Sequence, residues 1–228
     1  MRTSTLILSA ISLFLASASQ AQYCMLPGRT SYSMNQPGIT NFKLNTINRT
    51  SSNVENPLSS PPITVTTDTT TLMRGQTYTV SIIHSVDAVV FPTERNNIRV
   101  WIDYNKDMDF VDAGETVITF DLDTPGTIYT ATFTVPMTAP LGYTRLRATA
   151  KMSADAGHTL PTSCDVPADP LDYHGEMEDY TVKISDPTFV APVNEQNNVA
   201  VYPNPTSGKV TVEFNQPVSL ALYDMTGK

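Results

Sequence analysis

Alternation of apolar and polar residues at every second position dominates the chain and predicts β-strands. In the clearest run, 77–84, Tyr78, Val80 and Ile82 share one face. Further runs cover residues 38–45, 63–66, 97–102, 116–120, 127–135, 143–152 and 178–184. No segment carries a useful helical apolar repeat, so the domain is predicted to be all-β. About eight short strands separated by turns predict an antiparallel β-sandwich or jelly-roll-like domain.

Breaks in this alternation indicate the domain organisation. Residues 1–21 have a basic start, an apolar run and small residues, as in a secretory signal peptide. Residues 22–185 form the predicted β-sandwich domain, in which 48–62 shows no periodicity and predicts a surface loop. Residues 186–198 contain prolines and no alternation, as expected of a linker.

The remaining residues, 199–228, include two strand-like runs, 210–214 and 218–223. Two or three strands cannot bury a core alone. We therefore expect this segment to be the N-terminal part of a small second β-domain that is incomplete here.

Charge and cysteine content narrow the functional classes. The formal net charge is -8, and the 14 Lys and Arg residues are scattered, which argues against nucleic-acid binding. The apolar run near the N-terminus is too short to span a bilayer, so no transmembrane segment is predicted. In an exported chain, Cys24 and Cys164 are expected to form a disulfide, with two buried free thiols as the alternative.

An acidic run, 101–115, reads W-I-D-Y-N-K-D-M-D-F-V-D-A-G-E. Oxygen-bearing side chains recur at every second position after a strand, and a glutamate follows. Calcium prefers six to eight oxygen ligands, which such spacing supplies. The predicted ligands are Asp103, Asn105, Asp107, Asp109 and Glu115.

This run departs from the EF-hand pattern in two ways. Met108 stands where the EF-hand loop has glycine, and Glu115 follows one position late. Asp112 is expected to support Glu115. The alternative interpretation is a solvated acidic turn that holds no metal.

Three carboxylates near the end of the domain have three interpretations. Glu176, Glu178 and Asp179 are predicted first as structural ion-pair partners of Arg145 and Arg147. The alternatives are a contribution to the calcium site and an acid/base catalytic pair. Strand parity places Asp179 with the arginines and turns Glu178 inward, where a carboxylate needs a cation or several donors.

Trp101 alternates with Val100 and Ile102, so it is expected on the outer face of its strand. An exposed tryptophan beside a calcium loop would be a possible ligand-binding residue for a sugar ring. The favoured interpretation is that it belongs to the cover of the second face of the sheet. The chain has only three histidines, in no metal-binding spacing, which argues against a transition-metal site.

Several motifs in order resemble the GEVED domain. They are Tyr23-Cys24, W-I-D-Y-N-x-D at 101–107, T-R-L-R at 144–147, Cys164 and G-E-M-E-D-Y-T-V at 175–182. The resemblance covers residues 22–185, with Met177 in place of the usual valine. It implies an accessory module of secreted and cell-surface proteins rather than an enzyme.

The tail V-Y-P-N-P-T-S-G-K-V-T-V-E-F at 201–214, followed by L-Y-D-M-T-G-K at 222–228, resembles a type IX secretion sorting domain. The resemblance implies the type IX secretion machinery as a partner and a secreted or cell-surface location. The final part of that family's pattern is absent, so we expect an incomplete sorting domain.

Together these observations predict a secreted or cell-surface, non-catalytic, calcium-stabilised binding or adhesion module. Its ligand would be an extracellular protein or glycan. A carbohydrate-binding module of a glycan-degrading system is the first alternative. A hydrolase is less favoured because the chain offers no nucleophile motif.

Overall fold

The computed structural model describes most of the chain. The described residues are 22–28, 36–53, 55–56, 60–152, 157–187, 199–205, 207–214, 219, 221, 223–224 and 226–227. The predicted signal peptide, 1–21, and most of the predicted linker lie outside them. The chain divides into two compact units, one ending at Pro187 and the other starting at Thr188.

The first unit is all-β in the part that the structure describes. Its strands are β1 Ile39–Leu44, β2 Ile47–Thr50, β3 Ile63–Met73, β4 Thr77–His84, β5 Asn96–Ile102, β6 Thr116–Asp123, β7 Ile128–Thr134, β8 Gly142–Met152 and β9 Gly175–Ser185. They form a four-stranded sheet in the order β2-β1-β4-β7 and a five-stranded sheet in the order β3-β9-β8-β5-β6. The predicted all-β sandwich is confirmed. Its one parallel pairing among the described strands joins β3 to β9.

The core lies between the two sheets. Alternate residues of β4, β5 and β8 point inward and are fully buried, Val80, Val100 and Leu146 among them. The rings of Phe42 on β1 and Tyr180 on β9 stack across the sheets with centroids 4.4 Å apart. The period-2 pattern of the sequence therefore marks the core-facing side of each strand.

Two strands differ from the sequence prediction. β2, Ile47–Thr50, overlaps the start of the predicted surface loop 48–62, and β3 extends to Met73 instead of ending at residue 66. Both segments are rich in Asn, Arg or Thr, so apolar alternation does not reveal them. β3 is an edge strand with alternate residues exposed, and threonine suits such a position because its branched side chain fits the pleated surface.

The outer face of the five-stranded sheet is covered, so β5 is buried on both sides. The N-terminal segment 23–26 and the segment 157–174 lie across this face. A disulfide joins Cys24 to Cys164 with their Cα atoms 5.7 Å apart, as the sequence predicts. Leu26 and Tyr173 pack with Ile63 and Met177 in a second small apolar cluster.

The fully buried guanidinium of Arg147 holds this cover to the sheet. Its Nε and Nη2 donate to Asp179 Oδ1 and Oδ2 at 2.7 and 2.8 Å. Nη2 also donates to Cys24 O at 3.1 Å, and Nη1 donates to Ser163 O at 2.6 Å. One side chain therefore connects β8, β9, the N-terminal segment and the segment 157–174.

The second unit contains β10 Val199–Tyr202 and β11 Thr211–Phe214, which pair antiparallel. β11 corresponds to the predicted run 210–214, whereas alternation missed β10. Three of the six residues of the predicted run 218–223 lie outside the described residues. Among the described residues, no helix is long and apolar enough to cross a membrane.

Replacing both Cys24 and Cys164 by alanine is expected to lower the free energy of unfolding. The disulfide closes a sequence separation of 140 residues, and loop-closure entropy of that size is worth about 4 to 5 kcal/mol. Urea unfolding of the variant beside the oxidised and reduced wild-type protein measures the loss. Equal midpoints for all three would show that the disulfide does not stabilise the fold.

Candidate calcium loop and buried carboxylates

The acidic loop, defined here as residues 103–115, connects β5 to β6 and has its ends held together. Ile102 N donates to Glu115 O at 2.9 Å, and Asp103 N donates to Arg145 O on the neighbouring strand at 3.1 Å. The loop therefore begins and ends on a rigid sheet edge, which favours a fixed arrangement of its side chains.

Asp103 organises the inner side of the acidic loop. It has no exposed surface. Its carboxylate accepts hydrogen bonds from Lys106 N at 2.6 Å, Met108 N at 3.2 Å and the Tyr23 hydroxyl at 2.5 Å. Asp103 thus holds the first loop turn against the N-terminal segment.

Glu115 supplies a buried oxygen that makes no hydrogen bond. Its Oε1 accepts from Tyr104 N at 2.7 Å and from Asn105 N at 3.3 Å, whereas its Oε2 is buried and has no hydrogen-bond partner among the described residues. Burial raises the pKa of the Glu115 carboxyl. A buried acceptor without a partner is costly, and a cation is one partner that removes the cost.

The outer side of the acidic loop gathers three further carboxylates. Oxygens of Asp107, Asp109 and Asp112 lie within 4.8 Å of one another. Asn105 Nδ2 donates to Asp107 Oδ2 at 2.8 Å and to Asp112 Oδ2 at 2.6 Å. The Asn105 side chain lowers the pKa of Asp107. A positively polarised group therefore already bridges these carboxylates.

The donor set suits a hard cation, because every group is a carboxylate or amide oxygen. The structure groups Asp107 and Asp109 with Asp112, which was expected from the sequence only to support Glu115. Asn105 contacts both this group and Glu115. Asp103, by contrast, accepts hydrogen bonds from backbone N–H groups of the loop and from Tyr23.

Met108 adopts the backbone conformation that favours glycine. Its φ is 73°, in the left-handed region. The absence of glycine at this position, noted from the sequence, therefore has a conformational cost.

Trp101 is not an exposed platform, which contradicts the alternative of a sugar-binding tryptophan and agrees with the favoured interpretation that it belongs to a covered face. Only 3% of its surface is exposed. It lies on the outer face of β5, as strand parity predicts, but this face is covered. With Phe110 and Pro161 it lines a small cleft between the acidic loop and the segment 157–174.

The arginine and carboxylate residues divide into two groups. Asp179 pairs with Arg147 in a bidentate arrangement and is 3.3 Å from Arg145 Nη1. Glu178, fully buried, accepts from Arg49, from Ser51 Oγ at 3.0 Å and from the Tyr180 hydroxyl. Glu178 therefore finds the donors that its inward position requires.

Glu176 pairs with neither Arg145 nor Arg147 in the structure. Its Oε2 accepts from Ile39 N at 3.1 Å, and it lies beside Glu55 and Glu178. Burial, followed by the charge of Glu178, raises the pKa of Glu176 to about 10. Burial raises the pKa of Glu178 to about 6.

Sequence reasoning missed Arg49 and Tyr23 as partners of these groups. Arg49 lies on β2, which carries no apolar alternation, and it forms ion pairs with Glu178 and Glu55. Tyr23 was noted only as part of a motif. No local sequence pattern predicts the contact of Arg49 with Glu178 or that of Tyr23 with Asp103, because each joins residues far apart in the chain.

These features define a disulfide-linked β-sandwich with an acidic loop at one sheet edge. Residues 97–183 match the family model of the GEVED domain, and residues 200–228 match that of the secretion system C-terminal sorting domain. The chain therefore carries a GEVED domain followed by a sorting domain that directs export by type IX secretion. Its location is secreted or at the cell surface. No match to a curated protein was found.

Replacing Met108 by glycine is expected to stabilise the domain by about 1 kcal/mol, because glycine adopts positive φ without the Cβ clash. Val111→Gly is the matched control. Val111 is exposed in the same loop, and its φ is not positive, so glycine there should destabilise. Thermal unfolding of both variants checks this. A loss of stability in both would contradict the assignment of strain to Met108.

Replacing Glu176 by glutamine is expected to stabilise the domain more at pH 8 than at pH 5. The pKa of the carboxyl is about 10 in the folded protein, against 4.5 for an ordinary glutamate. Between these values the unfolded chain loses the proton that the folded protein keeps. Wild-type stability therefore falls as pH rises through this window, and the variant lacks that fall.

The urea midpoints of wild type and variant at pH 5 and pH 8 measure how much the stabilisation changes with pH. In a parallel thermal scan this change should amount to several degrees in the unfolding temperature. Asp121→Asn removes an exposed carboxylate from β6 and serves as the charge control. Parallel pH profiles for wild type and Glu176→Gln would show that Glu176 does not keep its proton.

Proposed function

We propose that the chain is a secreted, non-catalytic binding module whose acidic loop, 103–115, is ordered by calcium. The observation that carries this proposal is the buried Oε2 of Glu115, which lacks a hydrogen-bond partner among the described residues. The other oxygen of this carboxylate accepts from Asn105 N, and the Asn105 side chain bridges Asp107 and Asp112. Asp107, Asp109 and Asp112 would hold the ion with Glu115 and the Asn105 amide oxygen. Calcium would neutralise these carboxylates and replace the hydrogen bonds that Asn105 makes to them.

Calcium is the cation that this donor set favours. Oxygen-only sites on flexible loops suit calcium, which tolerates irregular geometry better than magnesium does. Extracellular modules bind it with dissociation constants of roughly 0.1 to 1 mM, which suits a protein exported to the cell surface.

Ordering of the acidic loop would be transmitted to the outer cover of the sheet. Phe110 in the loop is buried and lies 5.2 Å from the Tyr23 ring, between centroids. The Arg147 guanidinium lies 5.1 Å from the Phe110 ring centroid. A calcium ion in this loop would therefore stabilise the attachment of the N-terminal segment and its disulfide.

A non-catalytic role is supported by how the carboxylates near β9 are used. Asp179 is paired with Arg147, and Glu178 accepts three hydrogen bonds inside the fold. Glu176 is 3% exposed and abuts Gly38. An acid/base pair must reach a substrate, and these side chains are enclosed.

Adding calcium is expected to raise the free energy of unfolding by about 1 to 2 kcal/mol at 5 mM, which follows from mass action for the dissociation constants above. Thermal unfolding in EDTA and in calcium measures it. The double variant Asp107→Asn, Asp112→Asn should lose the stabilisation by calcium, because an uncharged amide oxygen binds calcium more weakly than a carboxylate does.

Asp121→Asn removes a carboxylate outside the acidic loop and should respond as wild type does. Asp103 is a poor choice for this test, because its removal would disturb the Tyr23 contact whether or not calcium binds. An equal response in wild type and the double variant, or none in wild type, would refute the calcium site.

A further inference from the structure

A cleft of about 290 Å³ lies beside the acidic loop and is lined by residues of the adjacent strands β8 and β9. We call it the Tyr143 cleft. Its walls include Tyr23 and Tyr143, and its cationic residues are Lys106 and Arg145. Thr181 on β9 also lines the cleft. All of these residues belong to the first unit.

The positive charge of Arg145 is only partly neutralised by the carboxylate it contacts. Its single ion pair with the described residues joins Nη1 to Asp179 Oδ2 at 3.3 Å. Asp179 is already neutralised by the closer bidentate pair with Arg147. Two guanidinium groups therefore share one carboxylate, and Arg145, with 30% of its side chain exposed, carries the surplus positive charge towards the cleft.

Two lysines add to this positive charge. Lys106 Nζ donates to the neutral carbonyl of Leu141 at the rim. Lys183 Nζ lies 5.8 Å from the centroid of the Tyr143 ring. In a chain with a net charge of -8, two cationic residues that line one cleft and a third next to its Tyr143 ring form a local concentration of positive charge. Carboxylates of the acidic loop oppose this field, and Asp103 among them is fully buried.

The tyrosines indicate what kind of anion fits. Tyr143 is 65% exposed and is one of the large side chains that the fold leaves open. The Arg145 guanidinium lies 4.1 Å from the Tyr23 ring centroid, which fixes its orientation. A flat exposed ring beside a fixed guanidinium can stack on a sugar ring while the guanidinium binds a carboxylate.

We propose that the Tyr143 cleft binds a uronic acid residue of an acidic polysaccharide, with its carboxylate on Arg145 and its ring on Tyr143. The cleft volume lies at the small end of ligand pockets and suits one sugar residue. Lys106 and Lys183 attract the polyanion over a longer range. The site goes beyond the calcium loop, because none of its anion-binding groups is a calcium ligand.

The test is an NMR titration of the ¹⁵N-labelled full chain with galacturonic acid and, separately, with galactose. The expected result is that galacturonic acid shifts the amides of Tyr143, Thr144 and Thr181 and saturates, whereas galactose does not. Arg145→Gln and Tyr143→Ala should each weaken binding at least tenfold. Lys43→Gln removes an exposed charge from β1 and should change affinity less than twofold.

Equal binding of galactose, unchanged affinity in Arg145→Gln, or shifts confined to other residues would overturn the proposal. Tyr143→Ala keeps the test valid if Arg145→Gln unfolds, since Tyr143 is exposed. A tripeptide with a free C-terminal carboxylate is titrated in parallel. If it binds more tightly than galacturonic acid, the sugar assignment is wrong.

Each titration is run in 5 mM calcium and in EDTA, beside the thermal measurement of calcium binding. Galacturonic acid binding in a protein without a calcium response would refute only the calcium site. A calcium response without galacturonic acid binding would refute only the Tyr143 cleft. Calcium should strengthen binding where both hold, because it offsets the loop carboxylates.

Discussion

The hydrogen bonds of Arg147 are the interaction on which the outer half of this domain depends. A guanidinium with no exposed surface is costly to bury unless its donors are satisfied. Asp179 on the adjacent strand takes the charge, and Cys24 and Ser163 accept further hydrogen bonds. Because Cys24 also forms the disulfide, the same residues join the sheet, the N-terminal segment and the segment 157–174.

This arrangement explains why the candidate calcium loop and the Tyr143 cleft occur together. Tyr23 precedes the disulfide and contacts both, through its hydroxyl on Asp103 and its ring under Arg145. Arg147 forms the closer pair with Asp179, so Arg145, whose contact with Asp179 is longer, carries surplus positive charge towards the cleft. The cover that stabilises the sheet thus also shapes the surface on which an exported binding module would meet its ligand.

The buried carboxyl groups of Glu176 and Glu178 lie close together but are stabilised in different ways. Glu178 remains hydrogen-bonded to Arg49, Ser51 and Tyr180, whereas Glu176 accepts only from Ile39 N among its observed contacts and has a pKa of about 10. The difference follows from the number of donors that each side chain meets. Both glutamates belong to the G-E-M-E-D-Y-T-V motif at 175–182, and both are buried inside the fold rather than exposed at its surface.

Local pattern in the sequence determined most of the strands, their core-facing sides and the acidic loop, because period-2 burial and the spacing of acidic residues are encoded over a few residues. It did not reveal β2, β10 or most of β3, which lack apolar alternation. The disulfide was inferred from the presence of two cysteines in an exported chain. The sequence also shows that Met108 departs from the EF-hand pattern, which has glycine at this position. Its positive φ explains why glycine would suit the position. Only tertiary structure decided that Trp101 is covered, that Glu178 meets Arg49, and that Arg145 faces a cleft. Each of these depends on segments distant in the chain packing against one another, which no short sequence window contains.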